Sequence, residues 1–400
     1  MKILQVNNCY KQGSTGKIVY DIHNQLIQRG VESVVCYGRG DSVVEENVYK
    51  ICSNLYAKAN SAFSRLTGVM YGGCLLSTLK LISIIKKEQP DVVHLHCING
   101  YFVNIYRLVE WLKKSGIKIV LTLHAEFIHT ANCGYALDCD KWKTGCGKCP
   151  RLKRDTKSWF FDGTAHSWNK MKKAFDGFNE NLIVTSVSPW LMDRAKQSPI
   201  LADKKHTVVF NGLDTSVFHT YDNAELRKEL GISADEKIIF HATPGLSMNP
   251  DHIKGGYYVM KLAEKLVREK IRFVVAGPYD DSVTYPDNMI MLDRVSNQSR
   301  LAQLYSMADL TLLTSKKETF SMICAESLSC GTPVVGFKAG APEQISLKEY
   351  STCVEHGDEN ALMEAVLSEL STSRSKEEIS QLAKQTYSKQ IMTDNYFRLY

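Results

Sequence analysis

Apolar runs of strand length alternate with amphipathic stretches of helix length almost from one end of the chain to the other. In the first half the runs are KILQVN, ESVVCYG, VYKICS, DVVHLHC, KIVLTLH and NLIVTSVS; in the second they are HTVVFNG, KIIFHAT, RFVVAGP, MIMLD, LTLLTS and TPVVGF. Near-continuous apolar strands separated by helices indicate parallel sheets covered on both faces, so the predicted fold class is α/β. The rhythm repeats in both halves, and 400 residues exceed what one ordinary core accommodates. Two doubly wound domains are therefore expected, over residues 1–205 and 206–386, with a helix at 387–400 packing back across the join. Ligands of such folds bind at the carboxyl ends of the strands, which places the predicted site in a cleft where those ends face each other.

The densest chemistry lies in KETFSMICAESLSCGTPVVGF, between the runs LTLLTS and TPVVGF. The pattern predicts a strand, a short loop, a helix opening at Phe320 or Ser321, and another strand. Free N–H groups in the first turn of a helix suit phosphate oxygens. Glu318 precedes that opening and Glu326 lies on the helix, so two carboxylates flank a phosphate cradle. Carboxylates accept hydrogen bonds from hydroxyls, and a ligand with a sugar or ribose on either side of a phosphate is a nucleotide sugar.

Other strand ends carry matching features. Gly13-Ser14-Thr15-Gly16 is read as a loop after the first strand, ahead of a helix starting near Lys17, where glycines admit a ligand close to the backbone. Lys254-Gly255 stands at a helix entrance, where its ammonium reaches a diphosphate in front of the sheet. His124 closes KIVLTLH and is placed to hydrogen-bond a sugar hydroxyl or stabilise developing charge; the competing reading is a satisfied core histidine. His94 and His96 are assigned to opposite faces of their strand, and so to no shared metal.

One stretch breaks the rhythm. Residues 125–164 are rich in Cys, Gly, Lys and aromatics, and between Lys141 and Lys173 ten lysines or arginines stand against two aspartates, interleaved with Trp142, Trp159, Phe160, Phe161 and Trp168. Either a solvated basic surface or contact with anionic lipid or a phosphate-bearing acceptor accounts for it. Cys133, Cys139, Cys146 and Cys149 have spacing that could close a structural zinc site and fold an insertion too polar to build its own core; the rival is reduced thiols, or disulfides formed on purification. The other cysteines are scattered beside apolar residues and read as buried thiols of a reducing compartment.

The net charge of +6 is mild and does not demand nucleic acid. No apolar stretch reaches the roughly 20 residues of a membrane span, and the opening MKILQVNNCYKQG reads as a strand and loop, not a secretory leader. The chain is expected to remain cytoplasmic, with Leu66 to Lys87 and the Trp-rich insertion as the places that touch the inner face of a membrane.

Taken together these residues resemble the glycosyltransferase family 4 enzymes, retaining nucleotide-sugar transferases with two facing Rossmann-like domains of the GT-B type. The resemblance rests on Gly13 to Gly16, Thr122-Leu123-His124, Ser186 to Leu191, Asn211 to Asp214, Lys254-Gly255, Ala308 to Leu310, and above all Glu318 to Glu326 followed by Cys330-Gly331-Thr332-Pro333. Residues 139–150 are similar to an insertion in a subset of these enzymes that build bacterial surface polysaccharides. The resemblance implies that Glu318 holds donor-sugar hydroxyls and Glu326 the ribose, and that N–H groups at Phe320, Ser321 and Met322 face the diphosphate or sugar. It also implies that Lys254 neutralises the leaving phosphate beside Gly255, that Gly13 and Gly16 border it, and that His124 touches the sugar near the reacting carbon. A catalytic metal is not implied; the expected acceptor is a growing glycan, lipid-linked. Three positions depart from the family pattern: Met248 replaces a common arginine, Ala125 followed by Glu126 replaces an acidic residue after the histidine, and Thr319-Phe320-Ser321 replaces a Gly-Phe-Gly turn.

Overall fold

A computed structural model describes residues 1–400, which divide into two compact units: residues 1–211 with 392–400, and residues 212–391. Each is built on a parallel sheet. In the first unit the strands are β1 (Lys2–Asn7), β2 (Glu32–Tyr37), β3 (Val48–Lys50), β4 (Val92–Leu95), β5 (Lys118–Leu123), β6 (Leu182–Ser186) and β7 (Lys205–Val208), in the order β3-β2-β1-β4-β5-β6-β7. In the second they are β8 (Lys237–Ala242), β9 (Ile271–Ala276), β10 (Met289–Leu292), β11 (Leu310–Leu313), β12 (Val334–Phe337) and β13 (Ser351–Val354), ordered β10-β9-β8-β11-β12-β13. Strand order reverses beside β1 in one sheet and beside β8 in the other. Loops leaving neighbouring strands there part in opposite directions and open a crevice at the carboxyl edge.

The apolar runs become central strands because both faces are covered. Beneath the first sheet, Ile18, Ile22 and Leu26 of the helix Gly13–Gln28 pack with Ile3, Val92 and Val120. Beneath the second, Val259, Leu262 and Ala263 of the helix Gly256–Lys265 pack on Ile239, Phe273 and Leu312. Each such side chain, fully withdrawn from water, contributes about 1.5–3 kcal/mol before the entropy of ordering it.

Several expectations are corrected. HTVVFNG was assigned to the second half, but β7 pairs with β6 in the first sheet, and the boundary falls between Asn211 and Gly212. A short apolar run carries no label for the sheet it joins; hydrogen bonding decides. The segment Gly13 to Gly16 is the first turn of the helix Gly13–Gln28 and not a loop before it, with Gly13 at φ +67°. The C-terminal helix spans Lys389–Phe397, and its Met392 and Tyr396 enter the core of the first unit. Leu66 to Lys87 is not one amphipathic segment: a helix Asn54–Thr67 ends at Gly68, and a second begins at Leu75.

Candidate functional site

In the second unit the loop after β8 and the segment after β11 meet at the point where strand order reverses. Lys316 N–H donates to the Ile253 carbonyl at 2.8 Å, and the Thr314 hydroxyl donates to the Lys254 carbonyl at 3.1 Å. Gly255 is required there. Its φ is +68°, and a β-carbon would stand 2.1 Å from the Thr314 carbonyl oxygen. This close approach carries Lys254 to Glu318, with Nζ 2.6 Å from Oε1 and side chains 23% and 10% exposed. Glu318 is itself fixed by its N–H to the Ala339 carbonyl at 2.9 Å.

Three residues on, Ser321 caps the helix Met322–Ser329, its hydroxyl accepting from Cys324 N–H at 3.4 Å. Its φ of +85° is strained for a residue with a side chain, and it takes the place of the second glycine of the family turn. The cap satisfies the third N–H of the helix and leaves those of Met322 and Ile323 without intrahelical acceptors. Phe320 is buried, its ring 6.5 Å from that of Tyr387, so it contributes backbone and packing. Glu326, on the same helix, accepts a hydrogen bond from the buried Tyr305 hydroxyl at 3.1 Å. Burial, and then the Glu326 charge, push the Tyr305 phenol well above its ordinary range, so it remains a donor. Glu318 is buried and Glu326 half-buried.

A cavity of about 380 Å³ in this unit is lined by Thr243, Gly277, Arg294, Leu301, Tyr305 and Glu326, among others. The Lys254–Glu318 pair stands outside that lining. Arg294 is a residue the sequence reading missed. It follows β10 at the carboxyl edge, and its strand-end position was the available signal. The expected arginine site at 248 is explained by packing, since Met248 lies against the core of the unit.

In the first unit His124 follows β5 and is buried. Its Nε2 is 3.2 Å from His96 Nδ1, and burial lowers its pKa to about 4, so it is neutral at pH 7. His94 and His96 are not on opposite faces: residues two apart on a strand share a face, and their rings lie 3.8 Å centroid to centroid. His94 in turn is 2.7 Å from the Tyr400 hydroxyl and 2.7 Å from Thr122 Oγ1. Burial holds both imidazoles well below their usual range, so the array is uncharged. Ring contact between His94 and His96 thus joins two hydrogen-bonded pairs, Tyr400 with His94 and His96 with His124, into one buried array. Glu126 is structural: its carboxylate binds His129, the Arg194 guanidinium and Ala136 N–H, anchoring the start of the insertion.

The insertion does have a small core of its own. Trp142 is fully buried, its indole N–H donates to the Cys139 carbonyl at 2.7 Å, and the Arg194 guanidinium lies 5.0 Å over its ring. Cys133, Cys139, Cys146 and Cys149 come near one another; burial, with neighbouring charges, raises Cys133 to about 12 and Cys146 to about 11. They do not converge into the zinc cage expected from their spacing: no group of three or more His, Cys, Asp or Glu side chains is arranged to hold a metal ion. All twelve cysteines are free.

Two parallel-sheet α/β units, the second with a lysine and carboxylates beside a helix start at its switch point, have the GT-B fold. Residues 15–217 match Glycosyltransferase Family 4 and residues 242–372 match Glycosyl transferases group 1. The chain belongs to glycosyltransferase family 4. Among curated relatives, N-acetyl-alpha-D-glucosaminyl L-malate synthase of Bacillus anthracis is 26% identical over 91% of this chain and 84% of its own. The putative colanic acid biosynthesis glycosyl transferase WcaC of Escherichia coli is 24% identical over 100% of this chain and 99% of its own. Solved structures of the same fold include sucrose-phosphate synthase from Thermosynechococcus elongatus, with a TM-score of 0.69 at 14% identity, covering 100% and 98% of the two chains. Anabaena Alr3699/HepE in complex with UDP-glucose has a TM-score of 0.63 at 15% identity, covering 100% and 98%.

Proposed function

We propose that this glycosyltransferase moves a sugar, with retention of anomeric configuration, from a nucleotide-sugar donor to a lipid-linked glycan in bacterial surface polysaccharide synthesis, as a cytoplasmic enzyme at the inner face of the membrane. The observation that carries the donor assignment is the Lys254–Glu318 pair near a helix start whose Met322 and Ile323 N–H groups have no intrahelical acceptor, at the crevice of a sheet whose adjoining cavity holds Glu326. The ammonium and amide dipoles stabilise the departing diphosphate, where negative charge builds in the transition state. Glu318 orients sugar hydroxyls, and Glu326, held by Tyr305, takes the ribose. Gly13 and Gly16, at the first turn of their helix, border the phosphate, and neutral His124 donates to or accepts from the sugar near the reacting carbon. The acceptor hydroxyl attacks the anomeric carbon on the face the diphosphate leaves. As the new C–O bond forms and the bond to phosphate breaks, the acceptor proton passes to the leaving phosphate oxygen.

Structural relatives support the donor class, since HepE was solved with UDP-glucose and trehalose-6-phosphate from E. coli with UDP-2-fluoro glucose. The name of WcaC supports the pathway class. A panel of nucleotide sugars, screened by thermal shift and then by transfer to lipid-extracted acceptors, tests the reading, because a ligand of the native state raises the melting temperature. At least one UDP-, GDP-, dTDP- or CMP-sugar is expected to stabilise the protein, and the product is expected to keep the donor's anomeric configuration. No shift with any donor, or an inverted product, would overturn the corresponding part.

A further inference from the structure

A different cavity, wholly inside the first unit, has a chemistry the donor site does not use. It measures about 550 Å³ and lies beyond the carboxyl ends of β2 and β4, lined by Arg39, Lys58, Arg65, Tyr71, Tyr101 and Lys157, among others. Lys58 and Arg65 stand two turns apart on one face of the helix Asn54–Thr67. Arg39 follows β2, with its guanidinium near the Gly100 carbonyl. Lys157 comes from the insertion. None of the four cations has a carboxylate partner; the one acid in the lining, Asp155, is bound by Arg151 and Arg154. Unpaired positive groups converging on a concave wall are what a phosphate or diphosphate requires. The rings of Tyr71 and Tyr101, stacked with centroids 6.2 Å apart, add an aromatic surface.

Beside it a second cavity of about 470 Å³ shares Arg65, Lys157 and Trp159 and adds Lys153 and Arg154. Its rim is apolar and exposed: Phe160 and Phe161 are 69% and 64% accessible, next to Trp159, with Phe63 and Leu66 on the adjoining helix. The rim is held in place and is not a loose loop tip. Trp159 N–H donates to the Arg65 carbonyl at 2.8 Å, and at Gly68, φ +71°, a β-carbon would stand 2.1 Å from the Phe161 carbonyl oxygen. Three consecutive aromatics presented outward, among arginines and lysines, match an anionic bilayer interface, where aromatic rings settle at the headgroup level and basic groups meet phosphate.

We propose that this pocket is the acceptor subsite and takes the phosphate-bearing head of a polyprenyl-diphosphate-type lipid, with Trp159, Phe160 and Phe161 seated in the bilayer that carries it. The assignment rests on the transferase reading above and names the acceptor's chemical class and its place. The aromatic rim docks the protein, and the cationic pocket selects the lipid that ends in diphosphate.

Vesicle flotation tests it, using phosphatidylcholine vesicles doped with a polyprenyl diphosphate or, at matched surface charge, with phosphatidylglycerol. The full-length protein is expected to bind the diphosphate vesicles about tenfold more tightly than the charge-matched ones. Arg65→Ser with Lys157→Ser should abolish that preference. Phe160→Ser with Phe161→Ser should weaken binding to both kinds of vesicle, with melting temperatures of all variants within a few degrees of the parent. Equal binding to the two vesicle types would overturn the subsite, leaving a surface that senses charge only. Absence of binding to any vesicle by the folded protein would overturn it in favour of a soluble acceptor or a protein partner. Nucleoside-diphosphate thermal shifts on the same preparations report on the donor site separately: vesicle preference without a nucleotide shift overturns the donor-site assignment and leaves a lipid-diphosphate site with no acceptor role, whereas a nucleotide shift without vesicle preference overturns this subsite alone.

Discussion

Glu318→Gln separates sugar recognition from diphosphate binding. In the free protein the carboxylate holds Lys254 at 2.6 Å; with donor bound it is assigned to sugar hydroxyls. Hydrogen bonds to a charged group contribute about 1.5–3 kcal/mol each, and an amide keeps part of that for two hydroxyls, so a loss of about 3 kcal/mol is expected. At about 1.4 kcal/mol per factor of ten, kcat/KM should fall roughly 100-fold. Binding of the nucleoside diphosphate alone should move the other way, because Lys254 no longer has an internal counter-ion and meets the phosphates unneutralised. Stability should drop by only about 1–2 kcal/mol, since the ammonium is partly exposed and water takes up its hydrogen bonds. Radiolabelled transfer, calorimetric titration with the diphosphate and urea unfolding measure the three quantities on one preparation. Transfer within threefold of the parent enzyme would refute the role of Glu318, and diphosphate affinity falling in step with transfer would refute the division of labour between the two residues.

Lys254→Ala should weaken nucleoside-diphosphate binding by about tenfold or more and slow transfer further, by loss of a charge-assisted contact and by leaving Glu318 unpaired; unchanged affinity would remove the lysine from the site. Glu326→Gln should raise KM for the donor about tenfold with kcat little changed, as expected for a contact made equally in ground and transition states; a fall in kcat alone would contradict a ribose role. Gly255→Ala should cost at least about 2 kcal/mol, from positive φ and the Thr314 carbonyl together, read as a lowered urea midpoint. Acid should destabilise both units. His124 in the first and His241 in the second have folded pKa values of about 4, lowered by burial, against about 6.5 unfolded. The unfolded chain takes up protons first as pH falls, so stability is full above about 6.5 and declines toward 4, by up to about 3 kcal/mol per histidine; a flat urea midpoint between pH 7.5 and 5 would show those imidazoles are solvated.

The alternation of apolar runs was enough to read the class of fold, because strands of a parallel sheet covered on both faces have no polar side to confuse the pattern. Glu318, Ser321 and Glu326 were legible for a related reason: the helix start lies between two strands only twenty residues apart, so local spacing fixes it. Other features depend on residues far apart in sequence. KHTV at β7 resembles any other strand until its neighbour β6 is known. Met248 reads as a missing cation until its packing against the second core is seen. The cationic pocket draws Arg39, Lys58, Tyr101 and Lys157 from four separate segments, which no spacing rule connects. The error at His94 and His96 was one of period, since the strand repeat of two already places them together.

Met392 and Tyr396 complete a core whose other members begin at Ile3, with the whole of the second unit's sequence between. A ribosome therefore releases every residue of the second unit before the first has its final layer. The later-made unit is contiguous and can finish on its own; the earlier one waits with an uncovered apolar face through most of synthesis, the interval in which a chaperone would find it and a C-terminal truncation would leave it permanently open.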